Sequence, residues 1–576
     1  VGGVARRVGL LVSTAGFPRS NVKRSAPIPV PVAAATFPRS DRPPPPCVLF
    51  EDEHLLAVNK PPGWNTHAPA SFAGEGIYDW LKHREPRWAR LAILHRLDKE
   101  TSGVLVFGKT ALANRSLTEQ FAQHQARKVY WLLTDRAVSR REWVVKSKLA
   151  RIGERRQSAA RGKLAETRFE VCPTPAPASA GGAGSWVTLR AEPRTGRTHQ
   201  IRIHAAESGL PILGDRRYGG SPFPRLCLHA AELSLRHPVS GADLVFRAPA
   251  DFTADPRHAL RAAFIEPELT DAFRWIHGAS DHWPGIYVER LGRYQLSASE
   301  HPLDAGLRAQ LLSPAAPPTL YHKIVPRRST ATQPADASPQ WIAGDAAPPH
   351  FVIRENGVKF ELSFNAGASV GLFLDQRDNR RRLLTGHVAA DFPLITTSAP
   401  GRPPEILNCF AYTCGFSVCA ALGGSRTTSL DLSKKYLDWG KRNFALNGVD
   451  SARHDFIYGD VTDWLQRFAR RGRGFDAVLL DPPTFSRSKT GGVFRAEKDY
   501  GRLVAAALSV LRPGGVLFAS TNAADWPAES FLDRVQTAVR ASRRRVIQFH
   551  YAPQPPDFPV SRDEPAYLKT AWFRVE

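Results

Sequence analysis

Three short apolar runs in the C-terminal part of this 576-residue chain each stop at a polar strand-end residue, and that repetition restricts the fold more than any other feature. ILNCF at residues 406–410 enters the turn AYTCG and then a small-residue helical stretch, FSVCAALGG. TTSLDLS follows with Asp431, and AVLLDPP at 477–483 ends on Asp481-Pro482-Pro483. Strand, turn and helix repeated from about residue 350 predict a doubly wound parallel sheet, because parallel neighbours need a crossover and the crossovers cover the faces. Ligands of such a sheet sit beyond the carboxyl ends of its strands. Asp431 lies 23 residues after Asn408, the arrangement in which a strand-end carboxylate receives the two ribose hydroxyls of an adenosine cofactor. The turn lacks GxGxxG, which counts against a dinucleotide.

A chain of this length exceeds one ordinary core, and two to four domains are expected. Formal charge is +24, spread over the chain rather than held in one tail, which suits a polyanionic partner, although Arg-, Ala- and Pro-rich composition also follows from biased nucleotide usage. The six cysteines form no CxxC pair, so a reducing compartment is the simpler reading than a disulfide scaffold. No stretch approaches the ~18 apolar residues of a membrane span. The chain has no Met and starts at Val, for which composition offers no physical account. Residues 1–46 carry seven Lys or Arg against one acid, Asp41, and end in four prolines, so they are expected to be disordered. A transit peptide, an over-extended reading frame and a basic RNA-contacting tail would all look like this. The corresponding location is the cytoplasm, or a plastid or mitochondrion if the tract is a transit peptide.

The N-terminal half carries a second set of blocks. HRLDKETSG at 95–103 places Asp98 between Arg96 and Lys99, a setting in which an Asp also serves simply to cap a turn. TGRTHQIRIH at 195–204, GLPILGDRRYGG at 209–220 and RKVYWLL at 127–133 change that reading. Together with VLFEDEHLLAVNKPPG at 48–63 they resemble the RluA-type pseudouridine synthases in sequence, order and spacing over roughly residues 47–250. The resemblance implies a mixed sheet with helices, makes Asp98 the catalytic carboxylate, and completes its site with Tyr130 and either Arg202 or Arg197, of which Arg202 is preferred. Breaking an N–C glycosidic bond and remaking it as C–C needs an ionised carboxylate in a pocket for an uncharged base. Burial favours the neutral acid, and a guanidinium beside it opposes that shift. An aromatic such as Tyr130 can stack on an extruded base and take part in proton transfer. No cofactor is implied there. His95, His199 and His204 are read as structural, since nothing accompanies them at zinc-ligand spacing and no metal is expected.

Residues 172–185 read as a loop on that domain, and polar DFTADPRH near 250–266 as a boundary. FRWIHGASDHWPGIYVERLGRYQLSAS, 273–299, resembles the small β-rich domain of RlmI-like methyltransferases, placed at 266–345, with a Pro- and Ala-rich stretch at 313–350 that contains a strand-like YHKIVPRR. GLFLDQRDNRRRL at 371–383, SLDLSKKYLDWGKRNFALNG at 429–448, Gly459-Asp460 and AVLLDPPTFSRSK at 477–489 resemble the S-adenosylmethionine-dependent RlmI and RlmK rRNA methyltransferases over 350–576. The expected whole is therefore multidomain α+β and α/β, ending in a Rossmann-like class I methyltransferase. By resemblance S-adenosylmethionine is bounded by Phe373, Asp375 and Arg377, by the turn containing Asn408, Phe410, Tyr412 and Gly415, by Asp431 on the ribose and by Asp460 near the adenine, with Asp481 between donor and target.

One departure concerns the donor turn, where Cys414 stands in place of a Gly. A positive φ there would cost about 1 kcal/mol relative to Gly, weakening the donor site unless Gly415 takes the conformation over. The target atom is narrowed by what is missing. Methylating a pyrimidine C5 normally uses a thiolate beside the base, whereas Cys409, Cys414 and Cys419 all fall on the donor side. A purine nitrogen, by similarity a guanine nitrogen, is favoured over cytosine C5, with Asp481 and the Pro482 carbonyl orienting the base. Phe485 either stacks on the base or packs in the core. The implied partner is RNA, large-subunit rRNA by analogy. The rival reading keeps the C-terminal half only as an RNA-binding or assembly module.

Overall fold

The computed structural model describes residues 43–172, 186–313, 316–325, 338–367, 369–396, 401–488 and 492–576, so the tract 1–42 and most of the 172–185 loop lie outside it. The alternating apolar segments after the proline run pair into a mixed sheet of eleven strands among the described residues. Its centre is Leu55–Lys60, Ser102–Gly108, Leu228–Arg236, Arg127–Thr134 and Val187–Pro193, hydrogen-bonded in that order. Ser102–Gly108 and Leu228–Arg236 run parallel, and Arg127–Thr134 is antiparallel to both of its neighbours. Ser102–Gly108 is buried along its whole length, as a continuous apolar run demands.

The expected boundary at 250–266 is a packed element. Helix Pro256–Phe264 is capped by Asp255, whose carboxylate accepts from the Arg257 N–H, and buries Leu260, Ala263 and Phe264 against Trp64 and Trp80. The 313–350 stretch is likewise more than a spacer, because Thr319–Ile324 and Gln340–Ala343 complete a five-stranded sheet with Ala272–His277, Tyr287–Leu291 and Tyr294–Ser299. Pro45 is buried, so part of the four-proline run assigned to the tail packs against the fold.

The C-terminal sheet has seven strands, which we label β1 (Glu405–Cys409), β2 (Arg426–Asp431), β3 (Asp455–Tyr458), β4 (Phe475–Leu480), β5 (Leu511–Thr521), β6 (Val546–Tyr551) and β7 (Lys569–Val575). Their order is β3-β2-β1-β4-β5-β7-β6, with β7 antiparallel to both of its neighbours and the rest parallel. The strand order reverses at β1, which places a crevice beyond the ends of β1, β2 and β4. Asn408, Asp431 and Asp481 stand at those ends.

Residues Ser40–Glu576 pack as one unit, and one arginine-rich helix contributes an ionic contact between its halves. Helix Arg377–Thr385 carries Arg377, Arg380, Arg381 and Arg382, none more than 7% exposed. Arg377 forms a bidentate pair with Asp557 at 2.8 and 2.6 Å, and Arg380 one with Glu355 at 2.7 Å on both arms. Arg381 reaches the Glu85 carboxylate and, at 2.6 Å, the Arg84 carbonyl. This part of the positive charge holds the fold together and does not face a polyanion. Among the described residues no helix is long and apolar enough to cross a membrane.

Candidate active sites

Asp98 sits in a turn closed by its own carbonyl, which accepts from the Thr101 N–H at 3.2 Å. The segment 60–66 clamps both flanks of that turn. Thr66 Oγ1 donates to the Leu97 carbonyl and receives the Leu97 N–H, while the buried Lys60 ammonium donates to the carbonyls of Lys99 (3.0 Å), Trp64 (2.7 Å) and Pro61 (2.9 Å). Burial brings the Lys60 amine down to about 7, with the charges of Glu100 and Asp98 opposing that fall. The turn is thus built from both motifs, and only the tertiary fold shows that Lys60 and Thr66 hold it.

Asp98 opens into a cleft of about 840 Å³ whose walls include Tyr130, Arg197, His199, Arg202 and Leu228. The Arg202 guanidinium is pinned by Asp215, with Nε to Oδ2 at 2.7 Å and a second bond at 2.8 Å, and its NH1 stands 3.8 Å from Asp98 Oδ2. Asp215 belongs to the GDRRYGG block, so the two motifs meet here. Arg197 is exposed, and its Nε donates to the Leu164 carbonyl at 3.2 Å. The geometry therefore brings Arg202 to Asp98 and leaves Arg197 on the rim. Tyr130, mid-strand in Arg127–Thr134, lines the same cleft, and burial followed by the charge of Asp98 pushes its phenol well above the ordinary value.

Of the three histidines read as structural, two are. His95 Nε2 accepts the Val106 N–H, and His204 lies between Thr167 and Ser147 hydroxyls. His199 differs: its Nε2 is 3.8 Å from Asp98 Oδ2 and its Nδ1 is 2.9 Å from the Tyr218 hydroxyl. A metal-spacing argument could not find it, since its partners are Asp98, 101 residues earlier in the chain, and Tyr218 in the block after it.

At the second site Asp431, ending β2, accepts the Tyr412 N–H on Oδ2 and the Ser433 N–H on Oδ1, both at 2.8 Å. These bonds fix the carboxylate while leaving lone pairs for further donors. Tyr412 packs its ring 4.6 Å from Tyr436 and 5.4 Å from the half-exposed Phe373. Asn408 donates to Ser417 Oγ at 3.0 Å, and its buried Oδ1 has no protein partner. A fixed strand-end carboxylate, an aromatic wall and an unpartnered buried acceptor fit an adenosyl group with its ribose hydroxyls. Asp460 caps helix Val461–Arg470, accepting from Thr462 N at 2.9 Å and Asp463 N at 3.2 Å, next to the end of β3. Phe410 packs toward Phe494, 6.1 Å away.

Asp481 lies at the end of β4, where Gln376 Nε2 approaches both carboxylate oxygens at 3.3 Å and donates to Ser520 at 2.9 Å. Burial raises its carboxyl to about 6, and the charge of Asp375 adds to the shift. Asp375, itself raised by burial, receives the Tyr567 hydroxyl at 2.8 Å. Phe485 is 55% exposed, which excludes the core-packing reading.

Two expectations for the donor side are corrected. Arg377 does not join this group, because its guanidinium is buried and satisfied by Asp557. Gly415 does not take the left-handed conformation: it opens helix Gly415–Leu422, while Phe410, Tyr412 and Cys414 have φ of 59°, 49° and 62°. Cys414 is accommodated from behind. A Cβ on Gly440 would lie 2.3 Å from its Sγ, so the missing side chain there is the space the thiol fills.

A carboxylate-guanidinium cleft on a mixed sheet, joined to a class I sheet with a strand-end carboxylate, defines a two-site nucleoside-modifying enzyme. The family comparisons agree with both halves: the RNA pseudouridylate synthase model matches residues 54–207, and the S-adenosylmethionine-dependent methyltransferase model matches 319–574. A ribosomal RNA large subunit methyltransferase of Deinococcus radiodurans is 35% identical over 339 residues, covering 56% of this chain and 78% of that protein. Ribosomal RNA large subunit methyltransferase I of Klebsiella pneumoniae is 31% identical over 326 residues, covering 55% and 76%. The solved structure of human RNA pseudouridylate synthase domain containing 4 is 24% identical, covering 37% of this chain and 92% of that one, with a TM-score of 0.28. The chain belongs to the large-subunit ribosomal RNA methyltransferase family of the RlmI and RlmK kind, carrying a pseudouridine synthase domain fused to it, and its methyl donor is S-adenosylmethionine.

Proposed function

We propose that the chain modifies large-subunit rRNA twice, isomerising a uridine in the Asp98 cleft and methylating a guanine nitrogen beside Asp481. The observation that carries the first activity is the Asp98–Arg202–Asp215 arrangement. Asp215 holds the guanidinium, and Arg202 in turn presents an untitratable positive charge to the carboxylate that reacts with the nucleoside. Tyr130 supplies a face for the extruded base. Isomerisation breaks C1′–N1 and forms C1′–C5 without a co-substrate.

For the second activity, Asp431 receives the ribose hydroxyls of S-adenosylmethionine, which supplies the methyl group. Phe373 and Tyr412 line its site, and Asp460 shapes the turn beside the adenine. Asp481 accepts a hydrogen bond from the target base, and Phe485 is free to stack on it. The nitrogen assignment is supported by burial of Cys409, Cys414 and Cys419, all 2% exposed or less, which leaves none of these thiols to add to a pyrimidine C6.

The full chain incubated with a large-subunit rRNA transcript and labelled methyl donor should yield one pseudouridine and one methylated guanine, mapped by mass spectrometry. Asp98→Asn should abolish the first product and spare the second. Label on cytosine C5 would overturn the nitrogen assignment. No label with no detectable donor binding would reduce the C-terminal half to a binding module.

A further inference from the structure

His199 is placed in the synthase cleft by an unusual local backbone. It precedes helix Gln200–Glu207 with φ 59° and ψ 16°, a left-handed conformation in a residue with a Cβ, which is strained and persists only where the surroundings hold it. The surroundings do hold it. Thr195, Arg197 N and the Thr167 hydroxyl all bond to the Gln200 side chain, fixing the turn before the helix. Tyr218 meets the imidazole edge-on with ring centres 5.6 Å apart, and its hydroxyl lies 2.9 Å from Nδ1 and 3.2 Å from the Arg156 carbonyl. A carbonyl can only accept, so when the phenol O–H donates there, its oxygen accepts from Nδ1–H. Nε2 is then the nitrogen left to the cleft, 3.8 Å from Asp98 Oδ2.

We propose that His199 Nε2 is the base that removes the C5 proton in the last step of isomerisation, a role that rests on the synthase reading of this cleft. Once C1′ has bonded to C5, that carbon carries both the sugar and its hydrogen. The C5–H electron pair returns to the ring, the proton passes to Nε2, and N1 takes up a proton from water. The imidazolium and the hydroxide so formed then neutralise each other, and atoms and charge balance over the cycle.

Three other groups of the cleft are less suited to the step. Asp98 is free again once C1′ has bonded to C5, but a carboxylate is in general a weaker base than an imidazole. Tyr130 would accept a proton only as a tyrosinate, which burial and the charge of Asp98 both oppose. His95 is committed to the Val106 N–H. The charged and titratable groups facing His199 are Asp98 from the HRLD turn, Arg202 from its own helix, and Asp215, Arg217 and Tyr218 from the loop that follows. Burial, joined by the charges of Arg202 and Arg217, outweighs the two carboxylates and holds the imidazole below its ordinary value, so it is neutral and able to accept at pH 7.

The test uses the full chain and a large-subunit rRNA transcript made with 5-deuterated uridine. His199→Gln should lower kcat for pseudouridine formation by about 100-fold, leave KM within threefold, remove the acid limb of the kcat profile, and expose a primary isotope effect larger than the wild type shows. Activity of His199→Ala should be restored in part by added imidazole. Activity of His199→Gln within threefold of wild type, or a loss with neither an isotope effect nor imidazole rescue, would overturn the assignment and leave His199 a positioning residue. Failure of the synthase reading itself is separate, because then the wild-type chain forms no pseudouridine on any rRNA.

Discussion

Arg381 of the methyltransferase half donates to the Glu85 carboxylate of the synthase half, and both side chains are at most 10% exposed. The same arginine reaches the Arg84 carbonyl, and Trp80 Nε1 donates to Asp378 at 3.3 Å on the same helix. Removing one partner strands a buried charge. Arg381→Met should destabilise the chain by about 3–5 kcal/mol, with Arg381→Met/Glu85→Gln milder than the sum of the two singles. Denaturant unfolding of the four proteins measures this.

The pH dependence of that contact has a definite sign. Burial would raise the Glu85 carboxyl, but Arg381, Arg84 and Arg87 outweigh it and hold the group below the usual carboxylate range. A depressed folded value contributes stability that is present above the unfolded value, about 4.3, and lost as pH falls through the folded one. The fall in Tm between pH 6 and pH 3 should therefore be smaller in Glu85→Gln than in wild type.

Asp481 should give methyl transfer an acid limb. Its carboxyl titrates at about 6 because it is buried beside Asp375, so below that pH it becomes a neutral acid and ceases to be a pure acceptor. We expect kcat/KM to fall tenfold per pH unit below 6 and the limb to disappear, along with most activity, in Asp481→Asn. A pH profile of labelled methyl transfer decides it.

Cys414 and Gly440 are a packed pair. Gly440→Ala would drive a Cβ to 2.3 Å from the Cys414 Sγ and should abolish donor binding or folding. Adding Cys414→Gly should restore both, since it removes the clash and suits φ 62°. Cys414→Gly alone should change donor affinity less than fivefold, measured by calorimetry with S-adenosylhomocysteine.

Arg202 and Arg197 separate in the same way. Arg202→Met should lower pseudouridine formation at least 100-fold, as expected for loss of the charge that accompanies a buried reacting carboxylate. Asp215→Asn should lower it less by loosening Arg202, and Arg197→Ala should affect mainly KM. Steady-state kinetics on the rRNA transcript gives the split.

The sequence by itself determined the elements whose cause is local. The strand-turn-helix repeats of the C-terminal part and the strand-end acids Asp431 and Asp481 follow from hydrophobic period and turn chemistry, and they lie where those rules put them. What depends on partners distant in the chain was not legible. Whether Arg202 or Arg197 stands by Asp98 depends on Asp215, Arg377 is withdrawn from the donor side by Asp557, and Cys414 tolerates its backbone because Gly440 lies behind it. His199 reads as structural from the sequence, and only the fold sets Asp98 on one side of it and Tyr218 on the other. Burial and pairing are properties of the packed chain, and they decide whether a charged side chain is a scaffold or a reagent.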